Sequence, residues 1–384
     1  MRLQADIYKS LRKHLDGMPI GYPATRSGVE LRILKRLFTP EEAIIALAMT
    51  HHFEPAETIL ARTEKNGMTH PAGQALLDGM AAKGSIFGKT AAGIPCFGLI
   101  PFVVGMFEFQ LHRMTPEFYE DTAQYFREAF GLAYLSTPLP QMRVIPIEQS
   151  LTQQHRVATY DEIRHIIEQA GDKIGVATCI CRKGKDLSGD PCKKTDRREV
   201  CFGFRDYFDF YREHGWLRPV NTGEALEILR QSEKEGLVLQ ATNEQKPQAV
   251  CACCGCCCGV LNTLKSIPNG ADFVAGYYRC RINRDACVGC GICADRCQVN
   301  AISMEGKKAA INLKRCIGCG VCVPACKPGA LTLEHKENPV VPPETTEALY
   351  DILMARKSRW DRVRTAAKVL RQMSVKEIRG MMGI

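Results

Sequence analysis

Eighteen of the chain's 20 cysteines fall in four blocks, and the last two blocks repeat one pattern. The copies are Cys287-x2-Cys290-x2-Cys293-x3-Cys297 and Cys316-x2-Cys319-x2-Cys322-x3-Cys326, offset by 29 residues. Iron in a [4Fe-4S] cube is held by four thiolates, and this spacing wraps three around one cube while lending the fourth to the neighbouring cube. Cys287, Cys290, Cys293 and Cys326 are therefore assigned to one cluster, and Cys316, Cys319, Cys322 and Cys297 to the other. Gly289, Gly291, Gly318 and Gly320 let the backbone curl between ligands and aim N–H groups at sulfur, which tunes the potential. Apolar Ile292, Ile302, Val321 and Leu331 are expected to shield the cubes from water. The chemistry implied is electron transfer.

The other two blocks are less regular. Cys251, Cys253, Cys254, Cys256, Cys257 and Cys258 occupy six of eight consecutive positions. Neighbours on a strand face opposite sides, so a regular strand cannot point them all at one cube; a loop could split them between two centres or leave some as free thiols, and Gly255 and Gly259 would permit one. Upstream, Cys179, Cys181, Cys192 and Cys201 lie among Arg182, Lys183, Lys185, Lys193, Lys194, Arg197 and Arg198. Such cations would offset cluster charge and lower thiol pKa values. Three arrangements compete. One or two further iron–sulfur centres could be built from these blocks, jointly or separately. A structural zinc at 179–201 could stand beside a cluster at 251–258. Or the thiols could be redox-active without metal. Cys280 is a spare ligand, and Cys96, alone in an apolar stretch, is expected in the core.

Tight cysteine clusters argue for metal over disulfides and need a reducing compartment. The N-terminus has no apolar signal region, so a cytoplasmic location is expected. Thr90 to Phe107 is uncharged but broken by prolines and glycines, and is expected to form two buried strands with turns; no membrane span is expected. At 384 residues, 45% hydrophobic and 24% charged, the composition is that of a soluble protein of two or three domains. The net charge is +9, much of it in the tail from Asp351, where nine Lys/Arg face three Asp/Glu. That balance does not choose among nucleic acid, anionic lipid and an acidic protein.

The elements that must position these thiols read as follows. Thr39-Pro40-Glu41-Glu42 is a capping box that opens a helix over 40–50. Helices follow from Pro55 to near Gly67 and from Pro71 to Gly84, then a hairpin of 85–87 with 94–104. Three helices and a hairpin in this order resemble a winged-helix domain. One long helix is expected at 116–135, a capping box at Thr159 opening a helix over 160–170, a strand at 174–177, and helices at 203–213 and 223–235. Pro339, Pro342 and Pro343 separate the repeat from a basic helical tail carrying Trp360, Val363, Ala367, Leu370 and Met373 at helical spacing. The fold class is α+β: a winged-helix-like domain (1–110), a helical connector (111–172), a central mixed α/β cysteine-rich region (173–279), a two-cluster module (280–336) and a helical tail (337–384).

The repeat resembles the two-cluster bacterial-type ferredoxin fold over about 281–334. Two positions depart from that pattern: Gln298 stands where proline usually follows Cys297, and Pro328 comes one residue late. The order of winged-helix-like start, Cys179 block, Cys251–Cys258 block and terminal repeat is similar to a family of 4Fe-4S binding proteins of anaerobic bacteria and archaea. The resemblance implies cytoplasmic multi-cluster electron transfer with two [4Fe-4S] clusters and additional ones, and a protein redox partner, but no settled substrate.

Other signals carry less. Gly88-Lys89-Thr90 lacks the upstream glycine of a phosphate loop, since Lys83 stands there, and no dinucleotide fingerprint follows a strand. His51-His52 reads as a solvated pair, and Glu108 with His112 as a surface or core pair. Besides electron transfer, two functions are open: a redox-sensing regulator with the winged helix on DNA, and an enzyme or reductive activator working at the cysteine-rich centre. The third helix, with one lysine and one aspartate, is poor material for a DNA groove, so nucleic acid is disfavoured.

Overall fold

The capping box at the head of the third N-terminal helix is formed: the Glu42 N–H donates to Thr39 Oγ1 (3.3 Å) and the Thr39 N–H to Glu42 Oε2 (2.7 Å). The computed structural model describes residues 2–63, 70–151, 161–337 and 340–357. The chain begins with α1 (Arg2–Gly17), α2 (Val29–Leu37) and α3 (Pro40–Ala48), then β1 (Glu54–Pro55), α4 (Ala56–Ala61), α5 (His70–Ala82), β2 (Phe87–Ala91) and β3 (Ile94–Gly98). In α2, Val29, Ile33, Leu34 and Leu37 recur at helical spacing and are fully buried. The three short strands form a sheet in the order β1-β3-β2.

The hairpin ends sooner than its apolar run suggests. Its second strand stops at Gly98, and beyond Pro101 residues 102–106 form an irregular, wholly buried segment. The expectation of two buried strands holds at their bases only, because the tip at Thr90–Ile94 is exposed. Cys96 is buried at 5% exposure. α4 is shorter than the sequence suggests: residues 62–63 already form a turn, and 64–69 lie outside the described residues.

The long helix runs as α6 (Pro116–Tyr125), a wide turn over 126–130, and α7 (Gly131–Leu135). The central layer then alternates strands and helices: β4 (Met142–Ile145), α8 (Ile163–Ala170), β5 (Ile174–Thr178), α9 (Ile180–Leu187), β6 (Glu199–Phe204), α10 (Arg205–Glu213), β7 (Arg218–Pro219), α11 (Thr222–Lys234), β8 (Val238–Thr242), β9 (Ala249–Cys253) and α12 (Gly259–Ser266). α8 starts at Ile163; Thr159 lies outside the described residues. Gly203 belongs to a strand and not to the expected helix, because Val200, Phe202 and Phe204 alternate inward and override helical patterning.

These strands make one sheet in the order β4-β8-β9-β6-β5-β7, with every neighbouring pair antiparallel. Period-two alternation gives it two faces. Val176, Val200, Phe202, Phe204, Leu239, Ala241, Val250 and Ala252 pack with Ile163, Ile166, Ile167, Ala225 and Leu229 of α8 and α11. The intervening residues face the other way. Since β5 and β9 both run antiparallel to β6, they are parallel to each other and end at the same edge of the sheet.

The last part comprises β10 (Tyr278–Ile282), α13 (Ile292–Arg296), β11 (Ile302–Glu305), β12 (Lys308–Ile311), β13 (Leu331–His335) and α14 (Thr346–Ala355). β10 pairs antiparallel with β13, closing the segment at its ends, and β11 with β12. Of the four expected shielding residues, Ile302, Val321 and Leu331 are buried while Ile292 is 43% exposed. α14 buries Leu349, Tyr350 and Leu353. The expected helical run from Arg356 to Arg379, with Trp360, lies outside the described residues from 358 onward. Among the described residues no helix is long and apolar enough to cross a membrane.

Candidate metal centres

Between β10 and β13 the two cysteine repeats form two separate neighbourhoods. Cys287, Cys290, Cys293 and Cys326 line one hollow together with Ile282, Ala309 and Leu331. Cys297, Cys316, Cys319 and Cys322 surround a second: burial, then the nearby Cys322, Cys297 and Cys316 thiols, push the Cys319 pKa up. Backbone donors point at sulfur: Ala301 N–H to Cys297 Sγ (3.1 Å), Cys280 N–H to Cys316 Sγ (3.4 Å) and Ala309 N–H to Cys287 Sγ (3.5 Å). Gly289 and Gly318 have φ of +74° and +71°, and a Cβ there would come within 2.0 and 1.9 Å of the Lys307 and Tyr278 carbonyl oxygens. Thiols held apart, N–H groups aimed at them and turns that admit only glycine suit a thiolate-bound cluster. Cys280, the spare cysteine, is buried beside this second group, with its Sγ 3.6 Å from that of Cys322.

The central cysteines gather at the edge where β5 and β9 end. Gln240 of β8 stands opposite Cys251 of β9, Cys251 opposite Cys201 of β6, and Cys201 opposite Ala177 of β5. Cys253 lies two residues on, on the same face. Cys179 caps α9 where β5 ends and Cys181 lies in the first turn of that helix, while Cys254, Cys256, Cys257 and Cys258 occupy the turn from β9 into α12. Nine of these thiols line a cavity of about 640 Å³, whose other walls include Val103, Phe107, Glu108, Tyr119, Phe126 and Thr263. Gly184 is required here, since a Cβ would come within 2.0 Å of the Tyr119 ring.

The spatial grouping cuts across the two sequence blocks. Six thiols lie next to one another in turn, each shifting its neighbour's pKa: Cys181, Cys179, Cys201, Cys251, Cys253 and Cys258. Gln240 Nε2 donates to Cys258 at 3.7 Å. The other four, Cys192, Cys254, Cys256 and Cys257, form a knot whose sulfur atoms all lie within 4.8 Å of one another. Cys192 thus leaves the 179–201 block, which does not come together as a four-thiol site of its own. Its neighbours lower selected thiols: Cys179 falls well below its ordinary value through Cys181 and Cys201, Cys253 to about 5 through Cys251 and Cys258, and Cys254 to about 4 through Cys257.

Arg182 sits between the two groups. Its side chain is fully buried; Nη2 donates to the Ala252 carbonyl (3.0 Å), while Nε finds no protein acceptor. Burial pulls its pKa down, but Cys179, Cys254 and Cys201 more than compensate, so the guanidinium stays charged. A buried cation without a carboxylate partner suits an anionic centre. The remaining cations of that block have partners of their own: Lys183 the Leu111 carbonyl, Lys185 and Lys193 Asp190, Lys194 the Asp295 carbonyl, Arg197 the Ile228 carbonyl and Arg198 Asp186. Glu108 is a wall residue of the cavity and not a surface partner of His112; burial raises its carboxyl to about 8.

Gln298, the departure after Cys297, is 3% exposed and joins the two cysteine regions. Its Oε1 accepts from the Gly255 N–H (2.9 Å), and its Nε2 donates to the Gly236 (3.0 Å) and Arg296 (3.1 Å) carbonyls. A proline there could make none of these bonds. His51 corrects the expectation of a solvated pair: it is buried and meets Asp351, 300 residues away, at 3.0 Å, with His52 Nε2 at 3.6 Å. Gln240 escaped sequence reading, although strand alternation places it with Cys251.

Against known families, residues 286–330 match the 4Fe-4S dicluster domain, and the chain is accordingly an iron–sulfur, ferredoxin-like protein in that region. No curated protein and no solved structure matches the chain. The matched segment, with the cysteine-rich cluster, supports iron–sulfur electron transfer as the class of function.

Proposed function

We propose that the chain exchanges electrons with a protein redox partner through its dicluster segment, and that the run of six thiols on the cavity wall is the far station of the same path. The carrying observation is Gln298, which follows the ligand-type Cys297 and grips Gly255 between Cys254 and Cys256. Cys287, Cys290, Cys293 and Cys326 would hold one [4Fe-4S] cluster, and Cys316, Cys319, Cys322 and Cys297 the other; bound there, the clusters supply one-electron transfer. Backbone N–H donors and buried Val321 and Leu331 would set potential and exclude water. Cys179, Cys181, Cys201, Cys251, Cys253 and Cys258 would hold a further iron–sulfur centre, with Arg182 balancing its charge.

A second reading, a redox enzyme or reductive activator, is favoured by the cavity of about 640 Å³, room for a small molecule beside the thiols. The order α3, β1, α4, α5, β2, β3 with sheet order β1-β3-β2 supports a winged-helix-like N-terminal domain. DNA binding is disfavoured: α5 exposes Asp78, and Lys83 beyond it is paired with Glu42. The domain boundaries near 110, 172, 279 and 336 and a cytoplasmic location belong to the same proposal.

The test is iron, acid-labile sulfide and EPR of the chemically reduced full chain, purified without oxygen, alongside Cys201→Ala. The expected result is roughly twelve or more irons per chain, with a signal beyond that of two coupled cubes that Cys201→Ala removes. About eight irons and a spectrum unchanged by Cys201→Ala would overturn the far station. Failure of small oxidants to reoxidise the chain faster than Cys201→Ala would set the enzyme reading aside.

A further inference from the structure

Cys192, Cys254, Cys256 and Cys257 are packed unlike any other cysteines of this chain. The sulfur separations are 3.4 Å for Cys254–Cys256, 3.6 Å for Cys192–Cys254 and Cys256–Cys257, and 3.7 Å for Cys192–Cys256. A tetrahedral ion with metal–sulfur bonds of about 2.3 Å places its four sulfurs about 3.8 Å apart. A cube cannot be held this way, because each thiolate caps a different iron and the four stand outside a four-iron, four-sulfide core. The dicluster segment provides the internal control. Among the described residues, no three of its eight thiols come within 4.8 Å of one another.

The knot supplies four thiols and sits at the cavity wall. Cys254 and Cys257 are buried, at 1% and 5% exposure, and Cys192 and Cys256 half-buried; Cys254, Cys256 and Cys257 also line the large cavity, and Cys192 stands behind that wall. Three ligands come from one turn, while Cys192 comes from the irregular stretch between α9 and β6, 62 residues earlier. The turn itself is fixed from outside: Gln298 holds the Gly255 N–H, and Lys265 Nζ donates to the Gly255 carbonyl. A Cβ on Gly255 would come within 2.2 Å of the Gln298 carbonyl oxygen. Closed four-thiolate tetrahedra without an open position are structural sites.

We infer that Cys192, Cys254, Cys256 and Cys257 bind one tetrahedral divalent ion of the zinc class, separate from any centre on the six cavity thiols. The ion staples the 188–198 stretch to the turn that Gln298 grips, and so fixes the wall between the cavity and the dicluster segment. This goes beyond the electron-transfer reading and survives its failure, because a structural ion needs no electrons.

The experiment compares zinc, iron and acid-labile sulfide per chain in the full protein and in Cys192→Ser, both purified without oxygen. The expected result is loss of about one ion per chain with sulfide and the dicluster EPR signal unchanged. Loss of about four irons with four sulfides, or no change in any metal, overturns the inference. If Cys192→Ser does not fold, Cys256→Ser serves, together with cobalt(II) added in place of the native ion to the full chain. Visible bands of a tetrahedral four-thiolate cobalt site that weaken in Cys256→Ser support the site; bands equal in the two proteins, or none in either, overturn it.

Discussion

In the dicluster segment the eight repeat thiols stand apart from one another, and Cys287, Cys297 and Cys316 accept from backbone N–H groups; in the central region thiols meet thiols, and the compensating charge is a buried arginine. The first arrangement is carried by local chain geometry. Glycines at positive φ turn the backbone around sulfur, and the two halves need only the pairing of β10 with β13 to close. The second is carried by sheet topology. Cys201 and Cys251 are neighbours only because β6 and β9 pair, and the turns bearing Cys179 and Cys254 meet only because β5 and β9 run the same way. A local site can be copied by duplicating a stretch of chain, as the 29-residue offset records. A topological site cannot, which fits the absence of any second copy of the Cys251–Cys258 block.

The difference can be broken first at glycine. Gly318→Ala sets a Cβ against the Tyr278 carbonyl at positive φ. It is expected to remove roughly half of the iron held by the dicluster segment and leave the central metal untouched, read as iron and sulfide per chain. Ion pairs sharpen the contrast next. Arg143, on edge strand β4 of the central sheet, and Asp161 are 3.1 Å apart with side chains 0% and 2% exposed, whereas Arg284–Glu305 of the dicluster segment is at 49% and 62%. Asp161→Ala is expected to cost about 3–5 kcal/mol in anaerobic urea unfolding, because it takes the carboxylate from a buried guanidinium whose Nη1 still donates to the Thr242 and Glu244 carbonyls. Glu305→Ala is expected to cost under about 1 kcal/mol.

Gln298→Ala tests the joint between the regions. It leaves the Gly255 N–H and Gly236 carbonyl without their partner and is expected to cost about 1–3 kcal/mol in the same unfolding measurement. The smallest effect is one of pH. Burial lifts the Asp161 carboxyl from 3.8 to about 6, although Arg143 pulls the other way. The folded chain therefore keeps this proton after the unfolded chain has released it. The contribution is complete below about pH 4 and is lost as pH rises through about 6, so Asp161→Asn is expected to flatten the unfolding midpoint across that window.

How much was legible in the sequence follows the same division. The eight dicluster cysteines and their glycines were readable because spacing along the chain is their geometry. The capping box at Thr39 and the core position of Cys96 were readable for similarly local reasons. The partition of the other ten cysteines was not, since Cys192 joins Cys254 across 62 residues and Cys201 joins Cys251 through strand pairing. The same holds for His51 and Asp351, whose meeting depends on where α14 docks. Gln298 is intermediate: its oddity showed in the sequence, but its reason lies in Gly255, which only the folded chain brings near.

The pairing of Tyr278–Ile282 with Leu331–His335 puts the entrance and the exit of the dicluster segment side by side. A stretch that leaves and returns through one doorway behaves as a cassette. It could be exchanged for another electron carrier, or replaced by a short turn, without rethreading the central sheet.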